Sequence, residues 1–365
     1  MDSFEELLTK IRRDNDKTLE KLISRHEGII PLENISDSLN RNLEIEKIIF
    51  DGTYTLLIRN KNNEAFKSKA PLVCNHGTMV DPVEGYMLNL LYKSQHFETV
   101  IAPSRIRKGR KNNIKWLQKF ACEQVKPFLE GNDYYLWGHS QGALTNVFMY
   151  KKISGAKGMV NVSPPVRTDK EYWEIIMNVV QCGVNDITRS RVKNILFKGF
   201  HRNSLLKSLS DFDGIKKLAR EFSRYSHDKV GRVDIPTLNV LSGWDEIYDY
   251  KSVMDSLPEI YVHPDSCNLL LPEMPHDWFT YNGNRKAETT INTNFFFDKD
   301  EPFYLIPPKR SLVGSCLGKG LGAAIYAGYS IKAIHDLGND IANVSPDIHL
   351  TRKDFYGKMG NEYPF

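Results

Sequence analysis

The sequence predicts an α/β fold in which a mostly parallel central sheet carries helices on both faces and a helical cap is inserted late in the series. Three observations predict it. Residues 134–144 read as an apolar strand that breaks at Gly138-His139-Ser140-Gln141-Gly142 and passes at once into helix-forming residues. A short, fully apolar run at residues 71–74 and mainly apolar runs at 158–162 and 235–241 alternate with helix-patterned segments, as buried parallel strands do. Residues 167–232 are helical in pattern, rich in Arg and Lys, and carry an aromatic-apolar face, so they are expected to cover the sheet instead of joining it.

A chain of 365 residues can bury a large core and fits one elaborated domain better than two independent ones. Its 49 basic and 45 acidic residues leave a formal charge of +4, too balanced to imply a nucleic-acid partner. Cys74, Cys122, Cys182, Cys267 and Cys316 are widely spaced and form no C-x-x-C pair, so neither a disulfide framework nor a metal site is expected. The first residues are acidic and then mixed in charge, without the basic start and apolar run of an export signal, so a cytoplasmic location is expected.

Taken in order, residues 1–40 form an N-terminal helical extension, with Phe4, Leu7, Leu8, Ile11, Leu19, Leu22 and Ile23 at helical spacing. The core spans 41–165 and 233–300. It opens with a β-hairpin over 43–59, period two on either side of Asp51-Gly52. A strand over 71–74, a helix over 82–92, a strand over 97–102 and a helix over 112–129 follow. The cap is assigned to 166–232, after which come a strand over 235–241, a short helix over 251–257 and a strand over 268–271. Residues 301–365 form a C-terminal extension; the phenylalanines at 295–297 and the run 303–306 read as strand or packing segments. The Gly- and Ala-rich stretch 311–337 is read as a packed helix and loop, a membrane-surface element or a weak phosphate cradle, so peripheral membrane contact is a possible partner interaction.

The chemistry centres on Ser140. Gly138 and Gly142 sit where a strand-to-helix turn leaves no room for a side chain, and the serine at the apex must take a strained conformation that exposes its hydroxyl; His139 and Gln141 complete the turn. The apolar strand over 71–74 runs into Asn75-His76-Gly77-Thr78. Such a turn can present the Thr78 N–H beside that of Gln141, two donors of the kind an oxyanion requires, while His76 either braces the loop or acts as a base. Asp245, with Glu246 and Asp249 as alternatives, stands just past a late strand where a carboxylate can orient an imidazole; it can equally cap the next helix. His276 follows the strand over 268–271 and falls at the same sheet edge, whereas His263 precedes that strand and falls at the other. Arg105, Arg107 and Lys108 head a basic run that either attracts an anionic part of a substrate or is a solvated helix face.

Over roughly residues 45–287 the order Ser, acid, His resembles the α/β-hydrolase superfamily. The segments Gly138-His139-Ser140-Gln141-Gly142, Asn75-His76-Gly77, Ser242-Gly243-Trp244-Asp245 and Pro275-His276-Asp277-Trp278-Phe279 are most similar to acid-type and bacterial lipases and related esterases. The resemblance implies the α/β-hydrolase fold, a nucleophile at Ser140, a base at His276, an orienting acid at Asp245 and no metal or organic cofactor. A hydrophobic or lipid ester substrate follows from it, with acyl transfer to another acceptor, a thioester or amide substrate, or ligand binding without turnover as alternatives.

Overall fold

The structure, a computed structural model, describes residues 43–50, 53–60, 68–77, 82, 86–104, 114–129, 131–165, 178, 231–280, 284–305, 348–350 and 357–358. The N-terminal extension, nearly all of the cap and the 311–337 stretch lie outside these residues.

The hairpin forms as the period-two pattern predicts. Strands β1 (Leu43–Phe50) and β2 (Thr53–Asn60) pair antiparallel around Asp51-Gly52. Then follow β3 (Leu72–Asn75), α1 (Met87–Lys93), β4 (Thr99–Pro103), α2 (Ile114–Leu129), β5 (Tyr134–His139), α3 (Gln141–Lys152) and β6 (Ala156–Val162). The described chain resumes with β7 (Thr237–Trp244), α4 (Tyr250–Ile260), β8 (Cys267–Pro275), a 3-10 turn at Trp278–Thr280, α5 (Asn284–Phe297) and β9 (Phe303–Leu305). Two short strands, β10 (Ile348–Leu350) and β11 (Gly357–Lys358), pair antiparallel with β9 and β8.

The main sheet runs β1-β2-β4-β3-β5-β6-β7-β8-β11. It is parallel from β4 to β8, with antiparallel strands at its edges. Alternation along each strand gives it two buried faces. Leu72, Cys74, Trp137, Val160 and Val240 face α1 and α5, whereas Val73, Leu136, Met159 and Leu241 face α2, α3 and α4. The chain leaves β3 toward β4 and returns to place β5 on the other side of β3, so the strand order reverses between β3 and β5. Loops leaving the carboxyl ends of those two strands therefore diverge into a crevice, which is where such sheets bind ligands.

The helix predicted over 82–92 is α-helical from Met87, and Pro82 and Tyr86 before it are π-helical. Of the two readings of residues 295–297 the structure shows packing, not a strand. Residues 295–297 are the last turn of α5: Gly158 leaves a hollow in the sheet, and Phe296 fills it with its ring 4.8 Å from that of Tyr135.

A polar row crosses the sheet beneath the crevice. Asn75, Gly138, Asn161, Asn239 and Asn268 are register partners on successive strands, and Asn146 of α3 bridges Asn75 and Asn161 across Gly138. Amide hydrogen bonds of 2.9–3.3 Å link Asn75 to Asn146, Asn161, Asn239 and Asn268 in turn, and Asn161 also meets the Tyr261 hydroxyl. The row ties the strand before the His76 loop to the helix after Ser140, by polar groups that must satisfy one another because water is excluded. No helix among the described residues is long and apolar enough to cross a membrane.

Candidate active site

Ser140 caps the turn between β5 and α3 with φ 51° and ψ −120°, a left-handed conformation that a side-chain-bearing residue adopts only under constraint. The constraint is close packing. A Cβ on Gly138 would fall 2.5 Å from the Gly142 backbone, and one on Gly142 would fall 1.9 Å from the Asn75 carbonyl oxygen. With the Ser140 N–H bonded to the Val162 carbonyl at 2.8 Å, the apex is fixed between β3 and β6. Gln141 opens α3, so its N–H lies at the positive end of the helix dipole.

Asp245 follows β7 and His276 follows β8, and the parallel pairing of these strands sets the two side by side. The His276 Nδ1 lies 2.8 Å from Asp245 Oδ2. The other carboxylate oxygen accepts the N–H groups of Ile247 and Tyr248 at 2.8 and 2.9 Å, which locks the acid's orientation. The two alternative acids are engaged elsewhere: Glu246 accepts the backbone N–H of His276 at 3.2 Å, and Asp249 caps α4. Burial lowers the proton affinity of His276, but the charge and hydrogen bond of Asp245, with Asp277 and Glu246 behind it, outweigh burial and lift its pKa to about 9.

Ser140 and His276 are 5 % and 3 % exposed, so both lie in a water-poor setting. Tyr248, also buried, lies beside the site, its ring centroid 5.5 Å from that of His276. His76 Nδ1 lies 2.8 Å from the Gly77 carbonyl oxygen. His263 is set apart, beside Asp265. Thr78, Arg105, Arg107 and Lys108 lie outside the described residues.

Sequence reasoning passed over three contributors. Ser163, itself at φ 47°, donates to the His276 carbonyl at 3.0 Å and so anchors the His276 loop to the end of β6. Asp277 lies 3.1 Å from His139 Nε2, and Tyr86 lies 2.7 Å from His139 Nδ1. The positive φ of Ser163 follows a strand end with no glycine to announce it, and the other two contacts join residues remote in sequence. Ligand atoms of His139, His276 and Asp277 lie within 4.8 Å of one another, looser than the roughly 3.4 Å between ligands of a tetrahedral zinc site with bonds near 2.1 Å.

No protein-family model and no curated protein matches this chain. Many solved structures do match. An esterase from Thermogutta terrifontis is 14 % identical with a TM-score of 0.51, over 70 % of this chain and 98 % of its own. A 2-hydroxy-6-oxo-6-phenylhexa-2,4-dienoate hydrolase from Rhodococcus is 11 % identical with a TM-score of 0.53, over 70 % and 99 %. A carboxylesterase from Bacillus subtilis is 11 % identical with a TM-score of 0.50, over 73 % and 97 %. The chain has the α/β-hydrolase fold.

Proposed function

We propose that the protein is a serine hydrolase that cleaves a carboxylic ester of a hydrophobic acyl substrate through an acyl-enzyme. The observation that carries this reading is the 2.8 Å contact between Asp245 and His276, at the sheet edge where Ser140 occupies its strained turn. Similarity in fold to esterases and hydrolases supports it.

On this reading Ser140 attacks the ester carbonyl while His276 Nε2 takes its proton. Asp245 accepts a hydrogen bond from Nδ1–H throughout, which selects the tautomer with a free Nε2 lone pair and stabilises the imidazolium as it forms. The tetrahedral oxyanion is met by the Gln141 N–H and, from the loop after β3, the Thr78 N–H. His276 then returns its proton to the leaving alkoxide, and water repeats the sequence to release the acid. The polar Asn row holds β3 against α3, and hence one donor against the other. The cap's aromatic-apolar face supplies the acyl site and the basic run around Arg105, Arg107 and Lys108 an anionic part of the substrate.

The test is turnover of p-nitrophenyl esters of graded chain length by the full chain and by Ser140→Ala. Turnover that is lost in the variant, with a preference for medium or long acyl groups, supports the reading. Equal rates in both proteins refute it.

A further inference from the structure

Beside the Asp245–His276 pair lies a second line of polar contacts that the reaction scheme leaves unused. It begins at the Gly77 N–H, which donates to the Tyr86 hydroxyl oxygen at 3.0 Å. The same oxygen lies 2.7 Å from His139 Nδ1, and His139 Nε2 lies 3.1 Å from Asp277 Oδ1. Each member comes from a different element: Gly77 follows β3, Tyr86 precedes α1, His139 ends β5 and Asp277 follows β8.

The direction of the protons can be worked out. The negative charge of Asp277 beside Nε2, an electrostatic contact outside hydrogen-bond geometry, favours the proton on that nitrogen and leaves a lone pair on His139 Nδ1. The Tyr86 oxygen, already accepting from Gly77, donates its single proton to that lone pair. Burial holds His139 below its ordinary pKa in spite of Asp277, consistent with this neutral tautomer. The line thus runs in one direction from the loop backbone to the carboxylate. Trp137 and Phe279 pack on Tyr86 with centroids 5.8 and 5.9 Å away, and this dry surround strengthens the bonds at the Tyr86 hydroxyl. The loop is pressed onto the line as well, since a Cβ on Gly77 would stand 2.9 Å from His139 Nδ1.

The two ends of the line are what give it a role. Gly77 immediately precedes Thr78, the proposed oxyanion donor, and Asp277 immediately follows His276, the proposed base. We propose that Tyr86, His139 and Asp277 fix the separation of the oxyanion loop and the base loop across the nucleophile turn, and are positioning residues for acyl transfer. The inference rests on the serine-hydrolase reading above. Oxyanion donors act over a window of about 2.7–3.1 Å, so loss of the tether lowers the rate of the chemical step and leaves ground-state binding unchanged.

The experiment uses the full chain with Tyr86→Phe, Asp277→Asn and both together, assayed on p-nitrophenyl butyrate with rates normalised to the sites that a fluorophosphonate titrates. Tyr86→Phe removes one oxygen and keeps the packing. Each single change is expected to lower kcat per titrated site by roughly 10-fold with KM within about twofold, less than the 10²–10³ of a lost oxyanion donor. The double variant is expected to be no worse than the weaker single one, because the line is already broken. Rates per site within twofold of wild type, losses that multiply in the double variant, or a fall only in the number of titrated sites would overturn the proposal. A wild-type protein that neither turns over nor titrates would instead remove the serine-hydrolase reading itself.

Discussion

The imidazole of His276 meets the carboxylate of Asp245 at 2.8 Å although 31 positions separate them, and both side chains are at least 95 % buried. Nothing local in the sequence makes that contact; the parallel pairing of β7 with β8 does. An isolated charged pair so deep would cost more in lost hydration than it returns, unless the remaining lone pairs were also satisfied. Here the second carboxylate oxygen takes two backbone N–H groups, so the acid is held whether or not the histidine carries a charge.

Asp245→Asn keeps the shape and offers a donor where an acceptor is needed. It is expected to lower kcat by about 10²–10⁴-fold by favouring the wrong histidine tautomer. Steady-state kinetics with an ester substrate, beside a thermal unfolding curve showing that the variant is folded, checks this.

The pKa of His276, raised to about 9, gives the pH dependence a definite sign. A base must be deprotonated to act, so kcat/KM is expected to rise with pH toward a plateau above about 9, and Asp245→Asn to move the rise to lower pH. Stability runs the other way. The folded pKa lies above the unfolded value near 6.5, so this group's contribution is fully present below that value and is lost as pH rises through about 9. Paired pH–rate and pH–stability curves read both effects.

Gly142→Ala would place a methyl group 1.9 Å from the Asn75 carbonyl, an atom that the sheet holds in place. The turn and β3 must then separate, and overpacking of this kind costs on the order of 1–3 kcal/mol or more. Urea denaturation is expected to record that loss, together with loss of turnover, because both proposed oxyanion donors flank the clash.

Lys93 and Glu288 form an ion pair with each side chain 1 % exposed, and the ammonium lies 4.4 Å from the centre of the Trp137 ring. Glu288→Ala leaves that ammonium without a counter-charge and is expected to destabilise the fold by about 3–5 kcal/mol. Replacing both residues together, Lys93→Met with Glu288→Leu, is expected to cost far less, since it is the unpaired charge that is expensive. Chemical denaturation of the single and double variants distinguishes the two cases.

The strands could be read from the sequence because a buried parallel strand is predominantly apolar on both faces, as residues 72–74 are and as 158–162 are apart from Asn161. The strand-to-helix turn at Ser140 was equally legible, since Gly138 and Gly142 mark positions where the backbone leaves no space. The acid was not. Asp245, Glu246 and Asp249 stand within five positions, and only the tertiary path assigns one to the imidazole, one to a backbone N–H and one to a helix cap. Contacts between distant elements left no trace at all. Tyr86 and His139 are 53 positions apart, Lys93 and Glu288 195, and the asparagines at 75, 161, 239 and 268 read singly as polar interruptions of apolar strands.

The central claim is that Ser140 is a nucleophile activated by His276. Its most direct test is reaction of the full chain with a fluorophosphonate followed by peptide mass mapping. The account predicts one adduct per chain on Ser140, absent in Ser140→Ala and formed far more slowly in His276→Ala. An adduct on another residue, or labelling of Ser140 that is indifferent to His276, would contradict it.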